Sequence, residues 1–278
     1  MKTCGRYNLK PDYSIIAAGF LLPLLINSCE ENTDWDIRSM GRFPVADCII
    51  TNEMKYQQLK LYQSADQLNE VPAGISGASV EISNGIISAV FHEDPTTEGL
   101  YISDEPFRAA AGNIYRLIIG KGEYADTAFA DMTGVTPLND IQIIPSDSLF
   151  RFVYSAGSQA SMMEVYYDWS DDPAYCRRYG ACQASEVYYN LDNIDAEKEF
   201  APDRKIILFP KNTRIIRRKY SLSLPHQNFI RAMLLETEWR GGLFDAEQGN
   251  VPTNFHHGVR GWFAACAVVS DTTTVAGF

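Results

Sequence analysis
Three aspartates crowd the stretch YDWSDDPAY (167–175): Asp168, Asp171 and Asp172. Carboxylates at this spacing are hard oxygen ligands of the kind Ca2+ takes. The Gly and Glu that complete an EF-hand loop do not follow, so that motif is excluded. An Asp–Pro sequence also opens a solvated turn, and the turn is the reading adopted. Histidine offers a second candidate chemistry. His256 and His257 are adjacent and His226 lies upstream, a set that invites metal ligation. Adjacent residues on a strand point to opposite faces, so neighbouring imidazoles rarely share one ion. No HExxH motif is present, and the pair reads as part of a loop. His92, beside Glu93 and Asp94, reads as surface. Neither a metal nor a cofactor is expected.

The run RIIRRK (214–219) is basic within an acidic chain. On a strand, Arg214, Ile216 and Arg218 share one face and Ile215, Arg217 and Lys219 the other. Two readings fit. One is an edge or half-exposed strand protected by its charges. The other is a contact patch in which Arg214, Arg217 and Arg218 meet an acidic partner or a lipopolysaccharide phosphate. Nucleophilic chemistry has no motif: G-x-S-x-G is absent and GISGAS (74–79) lacks that order. No Gly-rich phosphate loop opens a helix. Asp and Glu are plentiful enough for the carboxylate pair of a glycoside hydrolase, whose separation in space a sequence does not display. The aromatics in VYYDW (165–169) and VYYN (187–190) could stack on sugars or peptides; paired Tyr in a strand is more often one residue inward and one half-buried. No catalytic residue is assigned.

The elements that must position these residues are mostly strands. The chain has 278 residues, 46% apolar and 21% charged, which is ordinary globular composition and enough for one large or two modest domains. Its 15 Tyr and 14 Phe, with frequent Val, Ile and Thr, favour strands over helices. The net charge of −11 repels nucleic acid and anionic lipid, and no nucleic-acid partner is expected. From Phe43 the chain reads as short strands with turn punctuation. VADCIIT (45–51) is apolar enough to be buried. QLKLYQ (58–63) alternates, with Leu59 and Leu61 on one face. ASVEIS (78–83) alternates with Val80 and Ile82 inward. Asn84-Gly85 then signals a two-residue hairpin, with IISAVF (86–91) as its return strand. GLYIS (99–103), NIYRLIIG (113–120) and EYADTAFA (123–130) continue the series, the pattern of a sandwich. TGVTPLNDIQIIPSD (133–147) reads as a crossover. SLFRFVY, MMEVYYDW, SEVYYN, KIILF and TRIIRRKYSLS follow as strands, and VRGWFAACAVV (259–269) as one final buried strand. LPHQNFIRAMLLETEW (224–239) is the one helix, with Phe229, Ile230, Met233 and Leu234 on a stripe, Pro225 near the first turn and Gly241-Gly242 at the end. The expected fold is therefore mainly β: an N-terminal immunoglobulin-like β-sandwich over 43–138, and a second β-rich domain over 139–278, a sandwich or partly open barrel with one helix.

The N-terminus sets the compartment. Lys2, Arg6 and Lys10 precede an uncharged run, YSIIAAGFLLPLLI (13–26), of signal-peptide length and too short to span a membrane comfortably. The run ends in Ile26-Asn27-Ser28-Cys29, which resembles a lipobox. That resemblance implies a signal peptide over 1–28, cleavage before Cys29, lipid on its thiol and new amine, and a tether over 29–42. Acyl chains contribute about 0.8 kcal/mol per buried CH2, so several on one cysteine hold a domain at a membrane without a spanning helix. Glu30 and Glu31 directly after the lipidated residue resemble a surface-export signal; a merely solvated acidic tether is the alternative. Cleavage would leave 21 basic and 34 acidic residues, a net charge of −13. Outside the cytoplasm disulfides are permitted. Cys176 and Cys182 flank RRYGA, a short polar loop, and are candidates for a local bridge. Cys48 and Cys266 sit in apolar strands and read as buried free thiols. The absence of CxxC gives no support to a zinc ribbon or a thioredoxin-type site.

Four segments, in order, resemble an uncharacterised lipoprotein family of Bacteroidota-type bacteria: the SCEENTDWD start, the SGASVEIS strand, GNIYRLIIG running into EYADTAFA, and the tail WRGGLFDAEQGNVPTNFHHGVRGWFAACAVV. The likeness covers nearly the whole chain after Cys29, and the tail is its most specific part; Trp262 stands where Tyr is expected. The family is a domain of unknown function that often occurs beside TonB-dependent outer-membrane receptors. The resemblance implies location and context, not a reaction: an outer-membrane lipoprotein on the periplasmic or cell-surface face, partnered by the membrane through Cys29, by a TonB-dependent receptor and by an unidentified ligand. A fimbrial-type structural or adhesive protein is the alternative expectation, and a glycan or peptide hydrolase a weaker one.

Overall fold
The computed structural model describes residues 41–65, 67, 70–122, 124–192, 205–239 and 251–276. Strand alternation builds most of it. Leu59 and Leu61 of β2 (Gln58–Gln63) and Val80 and Ile82 of β3 (Ser79–Ser83) point inward and are buried, as a period of two requires. They belong to a sheet that also holds β1 (Pro44–Thr51), β4 (Ser88–Glu93), β5 (Leu100–Ser103), β6 (Ile114–Lys121) and β7 (Tyr124–Asp131). Gly85 turns the β3–β4 hairpin at φ 84°, and the Asn84 side chain accepts from the N–H groups of Ile86 and Ile87.

The eighth strand of this sheet comes from far along the chain. β14 (Arg260–Cys266) pairs in parallel with β1, Val45 opposite Arg260 through Thr51 opposite Cys266. The order is β14-β1-β2-β5-β4-β3-β6-β7, and its edge strands approach each other, so the sheet nearly closes like a barrel around one core. The division at residue 138 thus follows the chain rather than space, since Arg260–Cys266 completes the first sheet.

Two smaller sheets lie beyond. β8 (Gln142–Ser146), β9 (Leu149–Val153) and β12 (Leu208–Phe209) form one, in the order β12-β9-β8. β10 (Ser161–Asp168), β11 (Gln183–Asn190), β13 (Arg214–Ser221) and β15 (Val268–Thr274) form the other, in the order β11-β10-β13-β15. A mainly β fold is what the sequence predicts. Three details differ. β8 lies within the stretch read as crossover. The single final strand is two: the chain passes from one sheet to another at Ala267, whose N–H donates to the Ser221 hydroxyl at 2.9 Å while its carbonyl accepts from the Ser221 N–H at 2.9 Å. A second helix, α1 (Pro173–Tyr179), occupies the stretch read as an acidic turn and polar loop.

The helix expected at 224–239 is α2 (Leu224–Glu236). It buries His226, Gln227, Ile230, Leu234 and Leu235, and Phe229 and Met233 are partly covered. Its cluster joins Met162 and Tyr220 of the four-stranded sheet to Ile49 and Ala264 of the eight-stranded one. β14 therefore has no solvent face over most of its length: Phe263 and Ala265 enter the barrel core, while Ala264 and Cys266 meet the α2 cluster. A strand buried on both sides reads as a continuous apolar run, which is why FAACAVV shows no alternation. Gly261, at φ 92°, lies so close to β1 that a Cβ there would collide with the Ala46 carbonyl.

Candidate functional site
The charges of the basic strand serve the interior of the fold rather than an edge. β13 is not an edge: β10 and β15 flank it. The face of Ile215, Arg217 and Lys219 is buried. Such charge is tolerable only with partners. Arg217 stands opposite Asp271 in the β13–β15 register and makes a bidentate ion pair with it through Nε and Nη2. Arg214 stands opposite Asp168 of β10 and pairs with it at 3.0 Å. Arg218 reaches Glu53, after β1, at 2.5 Å and lies over the Tyr220 ring. A contact patch of Arg214, Arg217 and Arg218 is therefore not what the fold presents. Arg217 faces the interior, Arg218 ties the two large sheets together, and of the three Arg214 alone is more than half exposed. Lys219 donates to Thr136 Oγ1 at 2.7 Å and the Pro137 carbonyl at 3.4 Å, and burial pushes its ammonium below the usual range.

The acidic stretch resolves into capping. Asp172 accepts from the Tyr175 N–H at 3.0 Å as N-cap of α1, Pro173 opens the first turn, and Gly180, at φ 87°, closes the helix. Asp168 accepts from the Ser170 N–H, which with the Ser170 hydroxyl and then Arg214 holds its carboxyl below the ordinary range. Asp171 is exposed on a cleft of about 380 Å³ shared with Arg177, Lys211 and Asn212. Cys176, in α1, and Cys182, just beyond it, form a disulfide with Cα atoms 4.5 Å apart. Trp169 fastens the same turn by donating from its indole to the Ala181 carbonyl at 2.8 Å.

The histidines are not brought to one point. His256 and His257 lie exposed on the loop before β14, with His256 edge-on to Phe129 at 6.1 Å. His226 is buried in α2, stacked on Trp262, with Nδ1 3.7 Å from Cys266 Sγ. That contact brings a thiol and an imidazole together in the interior. Burial pushes the Cys266 thiol up to about 12 and the His226 imidazole down to about 4. Both groups are held neutral, so the pair packs rather than activates a thiolate. Cys48 is likewise free and buried, its thiol raised first by burial and then by Asp47. Among the described residues no three His, Cys, Asp or Glu side chains gather as a metal site. His92 pairs with Asp104 at the surface, 3.0 Å apart.

One organising residue escaped sequence reasoning. Asp126 of β7 is fully buried and accepts from four backbone N–H groups, those of Thr127, His256, His257 and Val259, at 2.7–2.9 Å. It holds the loop that carries the histidines. The signal was present in EYADTAFA: Asp126 shares inward parity with Ala128 and Ala130. Two buried tyrosines also meet carboxylates, Tyr167 on Glu186 and Tyr220 on Glu164. Burial first, and then the carboxylate, raises both phenols above their usual range.

Cys29, Glu30 and Glu31 lie outside the described residues, as do Gly241 and Gly242. Among the described residues no helix is long and apolar enough to cross a membrane. No protein-family model matches the chain, and a search of curated proteins gives no significant match.

Proposed function
We propose that this chain is an outer-membrane lipoprotein acting as a non-catalytic binding or accessory component of a TonB-dependent uptake system. The observation that carries the reading is the basic, apolar, small-residue and cysteine order that ends at Ile26-Asn27-Ser28-Cys29. A tether over 29–42 would then lead straight into β1. The family likeness described above supplies the receptor context. The interior supports a scaffold rather than a reaction centre. Arg217, Tyr167, Tyr220 and Asp126 each meet an internal partner that stabilises the fold.

The test is recovery of the lipidated protein from its native membrane in mild detergent, with mass spectrometry of what accompanies it. A stoichiometric TonB-dependent barrel is expected. Repeated recovery of the chain alone would contradict the accessory role. A fimbrial-type reading draws on one feature: β11 and β15 end the four-stranded sheet, and sheet edges are templates for adding strands. That reading requires ladders of self-assembled chain, and a strictly monomeric protein would remove it.

A further inference from the structure
Asn84 is the one asparagine of this sequence that a glycine follows. It opens the loop 84–87 between β3 and β4, two inner strands of the eight-stranded sheet. The backbone nitrogen after an asparagine is a latent nucleophile, and the carboxamide carbon one residue back is its electrophile. Glycine gives that nitrogen the least steric cover. Local structure decides whether the two groups are tied up, and here three observations leave them free. Asn84 Oδ1 accepts from the Ile86 N–H at 3.0 Å and the Ile87 N–H at 2.9 Å. Two donors on one atom fix it as the oxygen. They also point at the atom that gains negative charge when the carboxamide carbon is attacked, as oxyanion-hole donors do. Next, among the described residues neither the Gly85 N–H nor the Asn84 carboxamide nitrogen donates a hydrogen bond. Asn52, Asn113, Asn139, Asn190 and Asn254, by contrast, each donate from that nitrogen to a backbone carbonyl. Finally, Gly85 is exposed, and no atom lies within 4 Å of where a Cβ would stand, so water and hydroxide reach the turn.

We propose that Asn84-Gly85 is a site of spontaneous deamidation and isomerisation, with water as the co-reactant. Hydroxide removes the Gly85 amide proton, and the nitrogen bonds to Asn84 Cγ. The Cγ–Nδ2 bond breaks, and Nδ2 takes up a proton from water and leaves as ammonia. The product is a five-membered succinimide. Water then opens one of its two carbonyl–nitrogen bonds. Opening at Cγ gives an aspartyl residue. Opening at the Asn84 backbone carbonyl carbon gives an isoaspartyl residue, whose main chain runs through Cβ and Cγ. One water is consumed and one ammonia released, with nothing oxidised or reduced. The two products differ in what they do to the hairpin. An aspartyl carboxylate accepts from Ile86 and Ile87 as the carboxamide does. The isoaspartyl form adds a methylene to the main chain between Ser83 and Gly85, which loosens the Ser83–Ser88 pair at the end of the β3–β4 ladder. The inference is independent of the role proposed above.

Peptide mapping by mass spectrometry tests it. The intact purified chain is held in warm, mildly alkaline buffer made with heavy-oxygen water, once native and once unfolded in urea. Solvent oxygen is expected to enter at Asn84 before any other asparagine, in aspartyl and isoaspartyl peptides resolved by chromatography. The rate should rise with hydroxide and be close to that of the unfolded chain. Asn84→Gln should remove the product, because a six-membered imide forms far more slowly, and circular dichroism of this variant separates lost chemistry from lost fold. A native Asn84 that stays intact while the unfolded chain converts, or another asparagine that converts first, would overturn the proposal. Freshly purified Asn84→Asp should keep the parent's urea midpoint, whereas the isoaspartyl chain should unfold at lower urea. Equal midpoints for those two would overturn the consequence assigned to the hairpin.

Discussion

A carboxylate that leaves water must find donors to replace it, and Asp126 finds four on the backbone. Removing it would leave those N–H groups without their acceptor, that of Val259 buried and the other three part-buried. Asp126→Ala is therefore expected to cost about 3 kcal/mol or more, read as a lower urea midpoint with unchanged slope. The basic strand makes the opposite point, that similar side chains can differ in worth. Arg217→Ala removes a buried, bidentate guanidinium while Asp271, 37% exposed, can turn to water, and should cost about 1–3 kcal/mol. Arg214→Ala, on an exposed pair, should cost less than about 1 kcal/mol. Equal losses in a denaturation series would contradict this assignment. His226 adds a dependence on pH. Its folded pKa is depressed to about 4 by burial, below the ordinary 6.5. The stability it contributes is thus present above about pH 6.5 and lost as pH falls toward 4, by about 3 kcal/mol across that window. His226→Gln should flatten this part of the stability profile, measured as the difference between the two proteins. Apart from the bond between neighbours Asp126 and Thr127, these partnerships are not legible in the sequence, because they join residues remote in the chain; Arg217 and Asp271 are 54 positions apart.

At the scale of elements, legibility followed periodicity. β2, β3 and β6 each present one buried and one exposed face, so their alternation is written in the residues. β14 and β15 read as one strand because β14 is covered on both sides and the apolar run shows no alternation until Ser270. α1 does not show as a helix in the sequence because 7 residues are too few to display a repeat, although its Asp-Pro start and Gly end are visible. Gly261 marks where β14 must approach β1. Gly261→Ala would combine a positive φ with a backbone collision and is expected to cost about 2–4 kcal/mol. Because β14 links the barrel core to the α2 cluster, the loss should appear in one cooperative transition; separate melting of the two regions would contradict that coupling.

At the scale of the molecule, the described residues form three sheets with three buried clusters, and the chain returns at β14 to complete the first sheet. This layout was not deducible from the order of strands, since a parallel pairing of β1 with β14 has no local signature. What we propose the sequence carries at this scale is an address, in the residues before Cys29. The proposed role depends on that address more than on any pocket. Its most direct test is the mass of the N-terminal peptide of the protein isolated from its own membrane. The account predicts a chain that begins at Cys29 and bears acyl groups, and a Cys29→Ala protein that is left unprocessed and without acyl chains. A native chain still starting at Met1, or cleaved elsewhere and free of lipid, would contradict it.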